Sequence, residues 1–240
     1  MIFTIPVTTR VEDFDQRGLL TPTALLSIFE NTAVRHAETV GYSPMNDSLR
    51  NGMAWVITNW RVEMDRAPAY DEPFTASTWL CNNPRQATRE MLLHSAGGEV
   101  LARGQAKLAL VDRSSNKPCL PTPERLAAYQ PEQRTAFADR LPRLRPPAAC
   151  TAVSPVLLRR SDMDYNGHLH NTAYLSLALD AAPPEVTAAG VRTFRLSYRS
   201  PLRLGDQTTL RSCPQPEGWT AAFVRGDEVC AVVAVNEQLK

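Results

Sequence analysis

The sequence has no long hydrophobic run, no excess of charge of either sign and no signal-like start. No stretch approaches eighteen consecutive apolar residues, so we expect no membrane-spanning segment and no membrane partner. Lysine and arginine total 26 against 25 acidic residues, whereas a nucleic-acid partner normally requires a basic excess. The first residues alternate in polarity and carry acids early, unlike a signal peptide, so the expected location is cytoplasmic.

Cysteines are few and scattered. None of the five has C-x-x-C spacing, and they stand at Cys81, Cys119, Cys150, Cys213 and Cys230. This spacing argues against both a disulfide framework and a zinc site, so we expect reduced thiols. What the chain does have is 43% hydrophobic residues in a length of 240, enough for one large core or two small ones.

One long helix and four strands are predicted in the first half. Thr21 is a suitable N-cap, Pro22 favours the first helical position and Gly41 favours an end, so a helix is expected over residues 21–41. Segments rich in β-branched and aromatic residues follow at 55–64, 74–81, 89–96 and 99–112. A helix followed by hairpin-connected strands indicates an α+β fold, with the helix laid across an antiparallel sheet.

The second half repeats this order. An offset of 149 residues aligns Asp15 with Asp164 and Gly18 with Gly167. An offset of 134 aligns residues 60–72 with 194–206, and an offset of 129 aligns residues 99–102 with 228–231. Because the offsets fall in order, as loop deletions in a second copy would require, we predict an internal duplication.

The duplication predicts a second helix over about residues 172–189, broken late by Pro183 and Pro184. Between the copies, seven prolines lie between Pro118 and Pro147, a density that argues against a strand or a long helix. We therefore predict a first domain at 1–125, a proline-rich linker at 126–150 that wraps over the surface, and a second domain at 151–240.

The densest polar cluster is RRSDMDYNGHLHNTAYL, residues 159–175. Asp164, Asn166 and His168 alternate, so in an extended segment a carboxylate, a carboxamide and an imidazole would point the same way. Such a set can position water, polarise a carbonyl and move a proton near neutral pH. The cluster leads into a helix N-terminus, capped by Asn171 or Thr172, where backbone amides favour an oxyanion.

The same residue types are also common in ordinary loops before helices. The duplication favours a site, because the first copy keeps the aspartate and glycine but has Arg17 and Leu19 in place of Asn166 and His168. A turn needs only the residues that both copies share. The sequence therefore predicts one site, confined to the second half.

Asp-x-Asn-Gly-His followed by Leu-His-Asn-Thr-Ala-Tyr-Leu resembles the motif of hotdog-fold thioesterases. Residues 159–183 resemble the corresponding stretch of the plant and bacterial acyl-acyl-carrier-protein thioesterases, and so do residues 29–41, 52–58 and 61–72 of the first half. The resemblance implies two tandem hotdog units, each a long helix wrapped by an antiparallel sheet, that form an internal pseudo-dimer.

By the pattern of that family, Asp164, Asn166 and His168 are the catalytic residues, and the reaction releases a free fatty acid from acyl carrier protein without a metal or organic cofactor. The implied acyl pocket lies in the first unit, against residues that plain core packing would explain equally well: Met53, Trp55, Ile57 and Thr58. The expected partners are the carrier protein, the fatty acyl thioester and, as a further expectation, a second copy of the chain. Arginines around the linker, Arg143 and Arg145 among them, could steer an acidic carrier.

The chain departs from the family at one place. The plant enzymes carry a Glu-Cys pair where this chain has Pro201-Leu202, and neither of these side chains can act as base or nucleophile. Asp180 is a candidate acid near the motif, and either Asp164 or His168 could be the base. Three other functions stay open: an acyl-coenzyme A thioesterase, a hotdog dehydratase and a non-catalytic acyl-thioester binding protein.

Overall fold

Each half of the chain folds into a sheet with a helix on one face. The structure, a computed structural model, describes residues 1–81, 87–115, 117–140, 142–147, 150, 152–188, 190–215 and 218–237. The chain divides into two compact units, Met1–Thr58 with Val62–Asp139, and Asn59–Arg61 with Arg140–Lys240. The domain boundaries at 125 and 150 stay a prediction, and residue 151, the predicted start of the second domain, lies outside the described residues.

The first unit contains six strands and three α-helices among its described residues. In chain order they are β1 (Phe3–Pro6), α1 (Pro22–Thr39), α2 (Pro44–Arg50), β2 (Met53–Met64), β3 (Phe74–Cys81), β4 (Ala87–Ser95), β5 (Val100–Asp112), β6 (Lys117–Cys119) and α3 (Pro123–Ala128). The strands lie in the order β1-β3-β4-β5-β2, with β6 paired to β5. The β1–β3, β3–β4 and β4–β5 pairs are antiparallel, as predicted.

The second unit has the same strand order. Its elements are β7 (Ala152–Val156), α4 (Asn171–Asp180), α5 (Pro184–Ala188), β8 (Thr193–Tyr198), β9 (Thr208–Gln215), β10 (Gly218–Arg225) and β11 (Glu228–Val235). They form the order β7-β9-β10-β11-β8, and every β7–β9, β9–β10, β10–β11 and β11–β8 pair is antiparallel. Because each strand has its counterpart in the first unit, the predicted duplication and the α+β fold class are confirmed.

Backbone hydrogen bonds repeat at all three offsets. The Leu20 amide donates to the Pro68 carbonyl at 2.9 Å, and the Leu169 amide donates to the Leu202 carbonyl at 2.8 Å. These two bonds are related by the offsets of 149 and 134. The alignment drawn from sequence therefore matches the alignment of the two folds, bond for bond.

The offset of 129 is matched in the same way. The amides of Asp65 and Arg66 donate to the Leu101 carbonyl, and those of Arg199 and Ser200 donate to the Cys230 carbonyl. The two folds thus coincide beyond the helix, from the end of the first strand after it to the fourth strand.

Helix α1 begins as predicted. The Thr21 hydroxyl accepts a hydrogen bond from the Ala24 amide at 3.2 Å, and Pro22 occupies the first turn. Gly41, with φ of +84°, turns the chain away after the last helical residue. The helix packs on the sheet through side chains that are fully buried, Leu25, Leu26 and Phe29.

The second helix is shorter than predicted. We expected one helix over about 172–189, but α4 ends at Asp180 and a separate turn of helix, α5, begins at Pro184. Pro183 and Pro184 cause the break, because neither ring fits a regular helix interior. Residue 189 lies outside the described residues.

The proline-rich segment is attached to the first unit by buried polar contacts. The carboxylate of Glu90, fully buried on β4, accepts hydrogen bonds from the Ala136 amide at 3.0 Å and from the Gln105 side chain at 2.8 Å. The Trp79 indole donates to the Arg134 carbonyl at 2.7 Å. Up to Asp139, this segment is therefore packed into the first unit rather than laid loosely over it.

The strand in the proline-rich region differs from the prediction, whereas the short helix α3 does not, because only long helices were excluded. Lys117–Cys119 forms a short strand although it contains a proline, and it does so against the single neighbour β5, where a missing N–H is tolerated. Helix α3 is held by a buried ion pair between Arg125 and Asp47 of α2. Within the residues described above, no helix is long and apolar enough to cross a membrane.

Gly104 fixes how closely α1 approaches the sheet. A Cβ atom at this position would lie 2.7 Å from Cε2 and 2.8 Å from Cδ2 of the buried Phe29 ring. We expect Gly104→Ala to lower the free energy of unfolding by about 1–3 kcal/mol, the usual cost of overpacking a core. Chemical denaturation measures this, with Gly97→Ala as the control, because its Cβ would meet nothing closer than Ser95 Oγ at 3.7 Å. Equal stability of the two variants would contradict the packing argument.

Candidate active site

The polar cluster forms a tight loop held by one carboxylate. In this second-unit loop (residues 159–170), Asp164 Oδ1 accepts hydrogen bonds from the backbone amides of Asn166 at 2.8 Å and His168 at 3.0 Å. The Asp164 carbonyl accepts from the Gly167 amide at 3.0 Å, and the Asp164 amide donates to the His168 carbonyl at 2.7 Å. Gly167 has φ of +72°, a conformation that side chains other than glycine rarely adopt.

The corresponding first-unit loop (residues 10–21) has the same geometry. Asp15 Oδ1 accepts from the amides of Arg17 at 2.9 Å and Leu19 at 3.0 Å. The Gly18 amide donates to the Asp15 carbonyl at 2.9 Å, and Gly18 has φ of +71°. The aspartate and the glycine therefore build this turn whether or not an asparagine and a histidine are present.

In both loops the second carboxylate oxygen holds the side chain two residues further on. Asp164 Oδ2 accepts a hydrogen bond from the side-chain nitrogen Nδ2 of Asn166 at 3.3 Å. Asp15 Oδ2 accepts from Arg17 Nε at 2.9 Å and from Nη2 at 2.8 Å. The loop thus presents an oriented carboxamide in one unit and an oriented guanidinium in the other.

The backbone on either side of His168 is fixed by neighbouring segments. Its own backbone pairs with Arg203, and the next amide, from Leu169, donates to the Leu202 carbonyl at 2.8 Å. The His170 amide donates to the Asp162 carbonyl at 2.8 Å. The imidazole Nε2 atom of His168 is buried. The structure brings together all three residues predicted as catalytic, Asp164, Asn166 and His168, on one loop.

The start of α4 differs from the prediction. We expected Asn171 or Thr172 to cap the helix, but the N-cap is His170, whose side chain makes no capping bond. The His170 ring instead bonds the Thr172 hydroxyl at 2.8 Å through Nδ1. Thr21, the counterpart of His170, does cap α1. The positive end of α4 is therefore without a side-chain cap, unlike that of α1.

The two residues in place of the Glu-Cys pair have different surroundings. Pro201 is exposed, whereas Leu202 is fully buried and its amide donates to the Tyr174 hydroxyl at 3.3 Å. Asp180 is exposed at the last residue of α4, the opposite end from the loop. Sequence analysis missed Tyr174, and also Tyr198, whose hydroxyl donates to the Asn171 carbonyl at 2.8 Å. Comparing the two copies position by position would have found both.

The predicted acyl-pocket residues lie on β2 of the first unit. Strand alternation places Met53, Trp55 and Ile57 on one face, and all three are half-buried. Thr58 lies on the other face, and its hydroxyl donates to the Lys107 carbonyl at 3.2 Å. A role for these four residues in acyl binding stays a prediction.

Family comparison assigns both units. Residues 2–129 match the acyl-ACP thioesterase N-terminal domain, and residues 149–225 match the acyl-ACP thioesterase C-terminal domain, so that together the two matches cover most of the chain. The chain belongs to the acyl-ACP thioesterase family. The resemblance drawn from the Asp-x-Asn-Gly-His motif is thereby confirmed.

Individual members of the family are distant. The oleoyl-acyl carrier protein thioesterase 2, chloroplastic, of Arabidopsis thaliana is 25% identical over 194 residues, which cover 73% of this chain and 53% of that protein. A chloroplastic oleoyl-acyl carrier protein thioesterase of Coriandrum sativum is 25% identical, over 90% of this chain and 64% of its own. The chain spans about half the length of several curated relatives that it matches, including the Arabidopsis protein at 53%.

Solved structures of the family share the fold. An acyl-ACP thioesterase from Bacteroides thetaiotaomicron has a TM-score of 0.86 at 21% identity, covering 98% of this chain and 97% of its own. The 12:0-ACP thioesterase from Umbellularia californica has a TM-score of 0.85 at 15% identity, covering 98% and 96%. These similarities confirm the predicted tandem hotdog fold.

The loop aspartate of the first unit should make stability depend on pH. Burial raises the pKa of Asp15. Hydrogen bonds from the Leu19 and Arg17 amides and from the Arg17 guanidinium lower it by more, so the pKa of Asp15 lies below the ordinary value. Such a group stabilises the fold above its unfolded pKa of about 3.9, and the stabilisation is lost as pH falls through the folded pKa. Asp15→Asn should therefore lower Tm more at pH 7 than at pH 3.

Thermal unfolding at both pH values measures this difference. The control is Asp227→Asn, which changes an exposed aspartate in the β10–β11 turn and should alter Tm little at either pH. If Asp15→Asn lowered Tm equally at pH 7 and pH 3, its carboxylate would not be held in the way that the loop geometry indicates.

Proposed function

We propose that this protein hydrolyses fatty acyl thioesters of acyl carrier protein to a free fatty acid and the carrier thiol. One observation carries the proposal: the two loops share the aspartate–glycine framework, and only the second has Asn166 and His168 on it. A purely structural loop would need only the framework, as the first unit demonstrates. Membership of the acyl-ACP thioesterase family supports the substrate class.

His168 is the base in this proposal, and Asp164 is a positioning residue. Asp164 Oδ1 already accepts two backbone amides, and Asp15 does the same in a loop that has no histidine. The His168 imidazole takes a proton from water, whose oxygen attacks the thioester carbonyl carbon. The tetrahedral intermediate then collapses, the carbon–sulfur bond breaks, and the leaving thiolate takes the proton from the imidazolium.

In this proposal the Asn166 carboxamide and the first turn of α4 stabilise the oxyanion. The amides of Gly167 and His168 already donate within the loop, to the carbonyl and carboxylate of Asp164, so they are not assigned to the oxyanion. The positive end of α4, which lacks a side-chain cap, is the better-placed source of positive potential. The acyl chain is proposed to lie in the first unit against Met53, Trp55 and Ile57, with Thr58 behind them.

The other functions are separated by a substrate panel. Acyl-coenzyme A thioesters would use the same loop, so rates on acyl carrier protein and coenzyme A thioesters of matched chain length decide between the two thioesterases. A hotdog dehydratase would convert a 3-hydroxyacyl thioester without releasing a thiol. A non-catalytic binding protein would bind the thioesters and release nothing. Thiol release measured across chain lengths distinguishes all four.

The site should depend on the second-unit loop alone. His168→Ala and Asn166→Ala should each lower kcat by about tenfold to a thousandfold, the range for lost acid-base or oxyanion groups. Arg17→Ala, at the position equivalent to Asn166, should leave kcat unchanged, and so should Asp180→Asn at the far end of α4. An active His168→Ala variant together with an inactive Arg17→Ala variant would show that the site lies in the first unit, against the proposal.

Carrier-protein docking is proposed to use the arginines before β7. Leu144 is buried among Ala222, Val224, Val232 and Ala234, and the residues on either side of it, Arg143 and Arg145, are exposed. The buried leucine fixes this segment, so both guanidinium groups face solvent at a defined place on the second unit. An acidic carrier would be attracted to them at long range. A cytoplasmic location, which the free thiols favour, and a homodimer are further parts of the proposal.

Reversing these two charges should slow the carrier-bound substrate selectively. Arg143→Glu with Arg145→Glu should lower kcat/KM for acyl carrier protein thioesters, more at low salt than at high salt, because screening weakens attraction between exposed charges. The matched control, Arg10→Glu with Arg35→Glu, changes two exposed arginines of the first unit and the same net charge. Equal effects of the two pairs would show that only total charge matters.

A further inference from the structure

The hydroxyl of Tyr174 holds the segment that lies against His168. Tyr174 is 3% exposed, and its hydroxyl accepts a hydrogen bond from the amide of the fully buried Leu202 at 3.3 Å. The ring is itself fixed by edge contacts, with centroids 5.3 Å from Tyr198 and 5.1 Å from Phe223. The hydroxyl therefore has little freedom to move away from the Leu202 amide.

Leu202 connects Tyr174 to the second-unit loop through backbone hydrogen bonds. Its carbonyl accepts the Leu169 amide at 2.8 Å, and Arg203, the next residue, pairs with His168. The backbone of His168 is thus two hydrogen bonds away from the Tyr174 hydroxyl. A second tyrosine acts beside it, because the Tyr198 hydroxyl donates to the carbonyl of Asn171, the first residue of α4.

The first unit, which has no histidine in its loop, keeps the backbone pairing of Leu20 with Pro68 and of Leu19 with Ala69. It lacks the groups that hold this pairing in the second unit. The verified offsets place Leu25 opposite Tyr174 and Met64 opposite Tyr198, so both hydroxyls are missing. Pro68 stands opposite Leu202, and proline has no amide hydrogen. Donor and acceptor are absent together in the unit without Asn166 and His168, and present together in the unit with them.

We infer that Tyr174 is a positioning residue, which sets the place of His168 through Leu202, and that Tyr198 supports it by fixing the start of α4. The inference rests on the proposed hydrolysis and deepens it. It also explains the buried Leu202 at the position of the family's Glu-Cys pair: here the backbone amide of this residue, rather than its side chain, contributes to the site.

The tyrosine itself does not titrate with the site. Burial raises the pKa of Tyr174 to about 12, so its hydroxyl stays protonated wherever a histidine changes charge. A change in the pH profile of a Tyr174 variant therefore does not come from titration of Tyr174 itself.

Tyr174→Phe tests the inference, because it keeps the ring and removes the acceptor. We expect kcat to fall about tenfold to a hundredfold, as misplacement of a reacting group by about 1 Å does, with KM changed less than about twofold. The pKa seen in the kcat/KM profile should also shift. Tyr129→Phe, at a buried tyrosine of the first unit, is the control and should change neither.

A double-mutant cycle locates the effect in the bond. Leu202→Pro brings in the residue of the first unit and removes the donor. If the bond is the cause, Tyr174→Phe with Leu202→Pro should lower kcat no more than the more damaging single change. Effects that multiply would mean that the two residues act separately, and the inference would fall.

Hydrogen exchange separates this inference from the proposed hydrolysis. In Tyr174→Phe the Leu169 amide should exchange faster and the His168 ring should titrate differently by NMR, while the equivalent Leu20 amide of the first unit keeps its protection. If the unmodified protein releases no thiol but these changes occur, hydrolysis is wrong and the positioning stands. If thiol is released and Tyr174→Phe matches the unmodified protein in kcat, exchange and titration, the positioning is wrong and hydrolysis stands.

Discussion

The loop in each unit depends on a single carboxylate that accepts two backbone amides, Asp15 in one unit and Asp164 in the other. Hydrogen bonds to a charged acceptor are stronger than those between neutral groups, so this one side chain sets the turn, the entry into the helix and the orientation of residue i+2. The glycine three residues after the aspartate is required only because the turn then passes through a positive φ. In the second unit, Asn166 and His168 are carried on this framework.

The duplication shows which parts of the framework are independent of chemistry. The strand order and the loop bonds occur in both units. Only the second unit has the Asn166 carboxamide and the His168 imidazole on its loop. It also differs in its helix start, where the N-cap side chain makes no capping bond, and in the two tyrosine hydroxyls. A folding requirement would act on both copies alike, so the shared features are the ones that folding explains.

Much of the fold follows from local sequence, and much of the site does not. β3 spans the residues that β-branched and aromatic content predicted, and Thr21 and Pro22 start α1 as their chemistry requires. The predicted N-cap of α4 was wrong, because local preference favours Asn171 whereas the helix begins after His170. Only the comparison with the first unit shows that His170 stands where α1 has the capping residue Thr21. The Leu202–Tyr174 bond joins residues 28 positions apart, and its donor is a backbone amide, which no residue type signals.

The contacts of the proline-rich segment bear on how such proteins can be recombined. Ala136 satisfies the fully buried Glu90, and the Arg134 carbonyl satisfies the Trp79 indole. A hybrid that exchanged the first unit for that of a relative and joined it near residue 125 would leave a buried carboxylate without its amide. A junction placed after Asp139 would keep each buried group with its own partner, so the better cutting point lies inside the predicted linker, after its contacts with the first unit.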